Sequence, residues 1–243
     1  MSSVKIETYL AEFNTRFSQD ANILVPASLS GYFSAIKRRS ESEVVEHGCH
    51  LMWLPEESTL RGGPVIDGLT HEKIDLKLSS VKYHKFHCGD FHVHPYEGKF
   101  GAEISIGPSG ADGDWLAWWS DPPQKQKFGL HFVASGTDLF LVIIPKDRAT
   151  PHPLKPSKTY EDGFTKFLNE DEQMAFAEMC AALIQNKKDI ARAKGKSLVN
   201  AARSTEEEND MMNIELANKN KCRYYRGELN GAGTKLKPMN RLV

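Results

Sequence analysis

The sequence predicts an α/β (α+β) protein in three layers, with a mixed β-sheet flanked by helices. The first observation is that strand-like and helical segments alternate along residues 23–145, a pattern typical of α/β domains. The second is a β-hairpin signal, in which Phe128–Ala134 and Leu139–Ile144 flank the turn residues Ser135–Asp138. The second of these strands is apolar throughout, which favours a central place in the sheet.

The predicted elements of this domain follow one another closely along the chain. In chain order they are a strand at 23–25, a helix at 27–39, a strand at 44–53, an exposed turn-rich loop at 55–68 and a strand at 81–94. The helix follows from the apolar spacing of Leu29, Phe33 and Ile36, and its cationic end at Lys37–Arg39 suits a helix C-terminus. The loop is assigned because it contains Arg61-Gly62-Gly63-Pro64.

Three divisions of the chain are predicted. Residues 1–22 form an N-terminal lead, residues 23–150 the sheet domain, and residues 151–243 a helical and basic C-terminal extension that begins with a proline-rich linker. The extension carries Lys and Arg from Lys219 to Arg241 with tyrosines between them. We expect such a segment to contact a protein partner, and we consider nucleic-acid binding unlikely.

Composition narrows the class of protein further. The chain has 243 residues, of which 40% are hydrophobic and 26% charged, so it can bury a substantial core. The net charge of -1 gives no general attraction to nucleic acid or to a membrane surface. The longest apolar run, Leu139–Ile144, is too short to span a bilayer, and the four cysteines form no CxxC pair. We therefore expect a cytoplasmic protein without membrane contact and with free thiols.

A candidate metal site begins at the end of the strand predicted at 81–94. His92 and His94 are two residues apart in an extended strand, so their side chains share one face. A catalytic zinc ion takes three protein ligands and keeps its fourth position open. We choose Asp112 as the third ligand. It follows Ser109 by three residues just before an apolar run, which is typical of the first turn of a helix.

Hydrolysis of an amide also needs a group that takes a proton from water and passes it to the leaving amine. Glu46 is the preferred candidate, and Glu43 is its alternative on the same predicted strand. The hydroxyl of Ser109 can donate a hydrogen bond to the oxyanion that forms during the reaction.

These residues resemble the motif of the JAMM metalloprotease family, also called JAB or MPN+. That motif is a glutamate, then His-Ser/Thr-His-Pro, then Ser-x-x-Asp, and it is similar to Glu46, His92-Val93-His94-Pro95 and Ser109-Gly110-Ala111-Asp112. The resemblance covers about residues 23–145. It implies a JAB/MPN-like fold, also described as cytidine-deaminase-like. It also implies zinc held by the two histidines and the aspartate, with the glutamate as acid and base and the serine as oxyanion donor.

The implied activity is deubiquitinase-like cleavage of isopeptide or peptide bonds, with a ubiquitin-like protein or its conjugate as substrate. Three features depart from the family motif: Val93 replaces the usual Ser or Thr, the loop Tyr96–Gly107 is longer than in the family, and Gly48 lies one position beyond the place where the family often has a glycine after the glutamate. Because the loop lies between the two halves of the motif, we expect it to form one wall of the substrate groove.

Two other readings remain open at this point. A catalytically inactive MPN-like scaffold would bind partners without cleaving them. A cupin-like metal-binding protein is suggested because Glu97 follows the His92-Val93-His94 unit. Ser109 and Asp112 can also be explained as a simple helix cap, which accounts for them but not for the histidines.

Overall fold

A computed structural model describes most of the sheet and part of the chain around it. The described residues are 2–13, 20–68, 74, 76, 85–95, 105–108, 127–145, 206–207, 209–211, 213–214, 217–218 and 221–240. The regular elements are β1 (Ser3–Lys5), α1 (Ile6–Ala11), β2 (Asn22–Val25), α2 (Ala27–Glu43), β3 (His47–Leu54), β4 (Thr59–Asp67), β5 (His87–His94), β6 (Phe128–Ser135), β7 (Asp138–Pro145), β8 (Arg223–Glu228) and β9 (Thr234–Pro238).

The strands form one nine-stranded mixed sheet in the order β1-β2-β9-β8-β7-β6-β5-β3-β4. The pairs β1/β2 and β5/β6 are parallel, and the remaining neighbours are antiparallel. The expected α/β class with a mixed sheet is therefore confirmed. The predicted hairpin is also confirmed, since β6 and β7 pair antiparallel from Phe128 and Pro145 to Ser135 and Asp138.

Helix α2 is one turn longer than the sequence predicts. It continues past Arg39 to Glu43, and the guanidinium of Arg39 donates to the Glu43 carboxylate at 2.9 Å, an i,i+4 pair that supports the last turn. Val44 then takes a left-handed φ of 53° and ends the helix. Strand β3 consequently starts at His47 and not at Val44 as predicted.

One face of the sheet packs against α1 and α2 through apolar and aromatic side chains. Phe33 of α2 stacks on Phe91 of β5 with ring centroids 4.0 Å apart and an angle of 8° between the planes. Phe33 also contacts Phe132 of β6, and Phe13 contacts Phe128. These contacts belong to the larger of the two buried apolar clusters.

The opposite face is covered in part by helical residues that follow a long gap in the described chain. These residues, 206–207, 209–211, 213–214 and 217–218, are called the C-terminal helix below. Ala217 of this helix joins Val133, Phe140 and Tyr224 in the second apolar cluster. The described part of the molecule thus has helices on both faces of the sheet.

The sheet draws strands from all three predicted divisions of the chain. Residues 223–238 were predicted to belong to a helical and basic extension, but they form β8 and β9, which lie between β7 and β2. A basic residue of this segment lies inside the protein. Arg223 is fully buried and donates to Asp20 at 2.8 Å. The predicted lead contributes β1 and α1.

The predicted loop at 55–68 is also corrected by the structure. Its second half is strand β4, which pairs with β3 at the edge of the sheet. Gly62 is explained by close packing and not by chain flexibility. A Cβ at this position would lie 2.4 Å from the Tyr32 ring. The Tyr32 hydroxyl then donates to the carbonyl of Gly63 at 2.6 Å, which ties the edge strand to α2.

The absence of a membrane-spanning segment and the state of the cysteines are two expectations from composition that the described residues test. No helix in the described ranges is long and apolar enough to cross a membrane. Cys49, Cys88 and Cys222 are buried free thiols, as predicted. The fourth cysteine, Cys180, lies outside the described residues.

A candidate metal centre on strands β3, β5 and β6

Strand β5 carries the candidate site on one of its two faces. Its residues alternate, so that Phe91 and Val93 enter the larger apolar cluster while Asp90, His92 and His94 point to the opposite face. These three polar side chains are almost fully buried, at 0%, 4% and 3% exposure. Burial of so many polar groups side by side in a central strand is costly unless each has a partner or a ligand.

His92 and His94 have the geometry of two ligands on one metal ion. Their Nε2 atoms are 3.1 Å apart. Two imidazole nitrogens at about 2.0–2.1 Å from a tetrahedral zinc ion lie roughly 3.3 Å from each other. The pair therefore needs only a few tenths of an ångström of movement to fit zinc.

The contact made by the second ring nitrogen of His94, Nδ1, indicates which tautomer the ring adopts. Its Nδ1 lies 3.2 Å from the carbonyl oxygen of Ile106. A carbonyl can only accept, so Nδ1–H donates and the neutral ring keeps its lone pair on Nε2, the atom that faces His92. Ile106 is held in turn, because its N–H donates to Ser135 Oγ at 3.1 Å. A carbonyl partner of this kind is the usual support for a metal-binding histidine.

Gly48 provides room beside His92. The two residues are paired across the antiparallel strands β3 and β5. A Cβ at Gly48 would lie 2.3 Å from the carbonyl oxygen of Phe91 and 3.1 Å from the Cβ of His92. Since a backbone atom is the obstacle, any larger residue would push β3 away from β5 at the site.

Glu46 directly precedes strand β3, whereas Glu43 ends helix α2. Glu46 is 8% exposed. The register of β3 and β5 ends at the pair Gly48 and His92, two residues short of Glu46, so the role of Glu46 stays a prediction.

Glu43, which was predicted on the same strand as Glu46, is the last residue of helix α2. Its half-exposed carboxylate accepts from Arg39 at 2.9 Å and contacts His47 Nε2 at 2.8 Å. The hydrogen bond from Arg39, followed by that from His47, lowers the pKa of Glu43 below its usual value. Glu43 is therefore an ionised helix-end residue whose partners are Arg39 and His47.

A second possible ligand set overlaps the first. His131 of β6 is paired with Asp90 in the parallel register, and its Nδ1 lies 2.7 Å from Asp90 Oδ1. Asp90, His92 and His131 each offer a ligand atom, and these atoms lie within 4.8 Å of one another. Both possible ligand sets include His92. One ring nitrogen binds only one ion, so the two sets are alternatives if they use the same nitrogen of His92.

The surroundings keep the neighbouring histidine neutral. His50 lies opposite Asp90 across β3 and β5, and its ring meets His87 edge-on at 5.2 Å. Burial lowers the pKa of His50, and the nearby Asp90 carboxylate only partly opposes this effect. His50 is thus kept in its neutral form, the form of histidine that binds metals.

The nearby cysteines do not suit nucleophilic chemistry. Burial raises the pKa of the thiols of Cys49 and Cys88, and the Asp90 carboxylate raises both further. A nucleophilic cysteine needs the opposite, an electropositive and accessible setting that favours the thiolate. The chemistry that the described side chains support is metal binding.

Some predicted site residues lie outside the described residues. Ser109 and Asp112 are among these, as is most of the loop that starts at Tyr96. The third ligand and the oxyanion donor therefore stay predictions. The described chain reaches Pro108, one residue before Ser109, and is buried from Ser105 to Pro108.

Sequence reasoning missed two residues of the centre. Asp90 had a detectable signal, because it continues the alternation of His92 and His94 by two residues toward the start of the strand. His131 had no such signal, since its place beside Asp90 depends on the pairing of β5 with β6. No protein-family model matches this chain, and no curated protein matches it at a significant level. Local motifs and geometry therefore carry the functional argument.

Proposed function

We propose that this protein is a zinc-dependent hydrolase of the JAMM type that cleaves isopeptide or peptide bonds to a ubiquitin-like modifier. The observation that carries this proposal is the buried pair His92 and His94, with Nε2 atoms 3.1 Å apart at the end of a central strand. The carbonyl of Ile106 accepts from His94 Nδ1–H, so the unprotonated nitrogen of His94 is Nε2, which faces that same point.

Each residue of the motif has a proposed role. His92 and His94 hold the ion together with Asp112. A bound zinc ion supplies Lewis-acid chemistry, since it acidifies water and polarises a carbonyl group. The Glu46 carboxylate takes the proton from the attacking water and returns it to the leaving amine. The Ser109 hydroxyl donates a hydrogen bond to the oxyanion.

The order of the described elements supports the same assignment. The family resemblance implies a strand, a helix and a glutamate-bearing strand, then the histidine motif, and finally a hairpin after Ser-x-x-Asp. The chain has β2, α2 and β3 in that order, His92 and His94 at the end of β5, and the hairpin β6–β7. A cupin is less compatible, because cupins are double-sheet jelly rolls, whereas β5/β6 is a parallel pair and α2 packs on the sheet.

The first experiment measures which histidines hold metal. Zinc in the purified full chain is quantified by mass spectrometry for wild type, His94→Ala and His131→Ala. We expect about one zinc per wild-type chain, loss in His94→Ala and retention in His131→Ala. Loss in His131→Ala with retention in His94→Ala would assign the ion to Asp90, His92 and His131 instead, and the proposed centre would be wrong.

The second experiment tests the reaction. Wild-type protein is incubated with ubiquitin-like proteins carrying either a linear C-terminal extension or an isopeptide-linked lysine peptide. We expect cleavage after the C-terminus of the modifier, and loss of cleavage with zinc retained in Glu46→Gln. A zinc-loaded wild-type protein that binds these conjugates without cleaving any of them would instead support the partner-binding scaffold.

A further inference from the structure

The segment 105–108 lies between the histidine motif and Ser109, and its backbone is held by side chains. Three successive N–H groups each donate to a different side chain. Ser105 N–H donates to Glu206 Oε1 at 2.8 Å, Ile106 N–H to Ser135 Oγ at 3.1 Å, and Gly107 N–H to Asn209 Oδ1 at 2.9 Å. Two of these three acceptors come from the C-terminal helix, about a hundred residues further along the chain.

The carbonyl oxygen at the end of this segment, that of Pro108, also accepts hydrogen bonds from the C-terminal helix. Asn209 and Asn213 both donate through Nδ2 to the carbonyl oxygen of Pro108, at 3.3 and 3.1 Å. Asn213 Nδ2 also lies 3.1 Å from Asn209 Oδ1, which orients the amide that accepts from Gly107. Both asparagines are 7% exposed, so these hydrogen bonds face little competition from water.

The C-terminal helix is itself fastened to the sheet by charged groups. Arg226 of β8 donates to Asp210 of the helix and to Asp138 of β7. The Tyr224 hydroxyl also donates to Asp210, at 2.7 Å. The helix therefore has a fixed position from which its asparagines reach the segment.

From this arrangement we infer that Asn209 and Asn213 are positioning residues for the metal centre, an inference that rests on the zinc site of the proposed function. They fix the peptide units on the C-terminal side of Ile106, whose carbonyl selects the His94 tautomer with an unprotonated Nε2, the form that can bind a metal. They also fix Pro108, from which the chain continues to Ser109. An irregular segment has no strand ladder to hold its carbonyls, so side chains must do so.

The two asparagines hold the segment in chemically different ways, which allows a specific test. Asn209 accepts from Gly107 N–H at 2.9 Å and from Asn213 Nδ2 at 3.1 Å, and it donates to Pro108 O at 3.3 Å; an aspartate at this position keeps both acceptor contacts and loses only the long donor contact. Asn213 acts on the segment only as a donor to Pro108 O, so an aspartate there places a negative charge against a carbonyl. Asn209→Asp should therefore be mild, and Asn213→Asp at least as harmful as Asn213→Ala.

The experiment measures zinc affinity of the full chain by competition with a chelator, and the absorption spectrum of the cobalt(II)-loaded protein. The variants are Asn209→Ala, Asn209→Asp, Asn213→Ala and Asn213→Asp. Met211→Ala on the same helix is the control, because Met211 is 71% exposed. Outer partners of metal-bound histidines contribute about 10–100-fold to metal affinity, so we expect losses of about tenfold in Asn209→Ala and both Asn213 variants. The cobalt spectrum should change in the same variants.

Thermal unfolding of the metal-free variants shows whether each one folds. Partial recovery of zinc affinity in Asn209→Asp relative to Asn209→Ala, without recovery in Asn213→Asp, supports the positioning role. Affinities within twofold of Met211→Ala for all four variants, or equal losses in Asn209→Asp and Asn209→Ala, would overturn it. A wild-type chain that binds no zinc would overturn the proposed function as well, whereas zinc binding without cleavage would leave the positioning role intact.

Discussion

The two faces of strand β5 differ in almost every respect although their residues alternate along eight positions of one strand. One face presents Phe91 and Val93 to the core beneath helix α2. The other presents Asp90, His92 and His94, which are all buried. Asp90 contacts β6, while His94 contacts the segment at 105–108.

The residues that stabilise the fold and the residues of the candidate metal site therefore lie on opposite faces of the same strand. The apolar face stabilises the fold by removing large side chains from water. The polar face places groups in the interior whose burial is unfavourable by itself and is offset by specific partners or a ligand. Substitutions on the first face should change the free energy of unfolding, and those on the second should change metal binding and catalysis.

The largest expected effect comes from His94 compared with its neighbour. His94→Ala removes one of two adjacent imidazoles, so zinc should be lost while the fold remains. Val93→Ala, on the other face, should retain zinc and lower the free energy of unfolding by about 2 kcal/mol. Zinc content and urea unfolding of both variants test this contrast. Stoichiometric zinc in His94→Ala would refute it.

Glu46 should affect turnover without affecting metal binding. Glu46→Gln keeps the shape of the side chain but removes the proton acceptor, so cleavage should fall by about 10²–10⁴-fold with zinc retained. Glu43→Gln is the matched control and should be nearly silent in the cleavage assay. The choice of Glu46 is wrong if the two variants exchange phenotypes.

A substitution of Phe91, on the apolar face, should change stability without changing metal binding. Its ring stacks on Phe33 at 4.0 Å and is fully buried, so Phe91→Ala should destabilise the protein by about 3–5 kcal/mol. Zinc per folded chain should stay at the wild-type level. Urea unfolding followed by metal analysis of the folded fraction measures both quantities. Loss of zinc at full stability would show that the two faces are not independent.

The smallest expected effect is a pH-dependent contribution of Glu43 to stability. Hydrogen bonds from Arg39 and His47 lower its folded pKa below the usual value of a glutamate. A lowered carboxyl pKa stabilises the folded state above the unfolded pKa, and this stabilisation is lost as pH falls through the folded pKa. Wild type should therefore show a slightly higher Tm than Glu43→Gln at pH 7, and this difference should shrink as the pH is lowered through the folded pKa of Glu43. A difference that grows on acidification would contradict the assignment.

The sequence predicts those parts of the fold that depend on local patterns. The hairpin β6–β7 has two apolar strands around a short turn, and α2 has regular apolar spacing, so both were found. Strands β8 and β9 were missed because Arg223 and Arg226 resemble a solvated basic segment. Their partners, Asp20 and Asp210, become visible only when distant parts of the chain pack together.

The same limit applies to the candidate site. His92 and His94 are related by strand alternation, which the sequence alone reveals. His131 joins Asp90 through a parallel pairing, and Asn209 reaches Gly107 across 102 residues. No spacing rule connects residues that meet through sheet register or helix packing, so these members required the structure.

The position of β9 between β2 and β8 determines when the molecule can be completed during synthesis. In the described sheet, β2 reaches β8 only through β9, and Arg223 meets Asp20 across 203 residues. A ribosome adds about 5–20 residues per second, so β2 waits roughly 10–40 s for its neighbour. The asparagines that hold the 105–108 segment emerge in the same late interval. A chain still on the ribosome thus carries His92 and His94 before the asparagines that hold the 105–108 segment have been added.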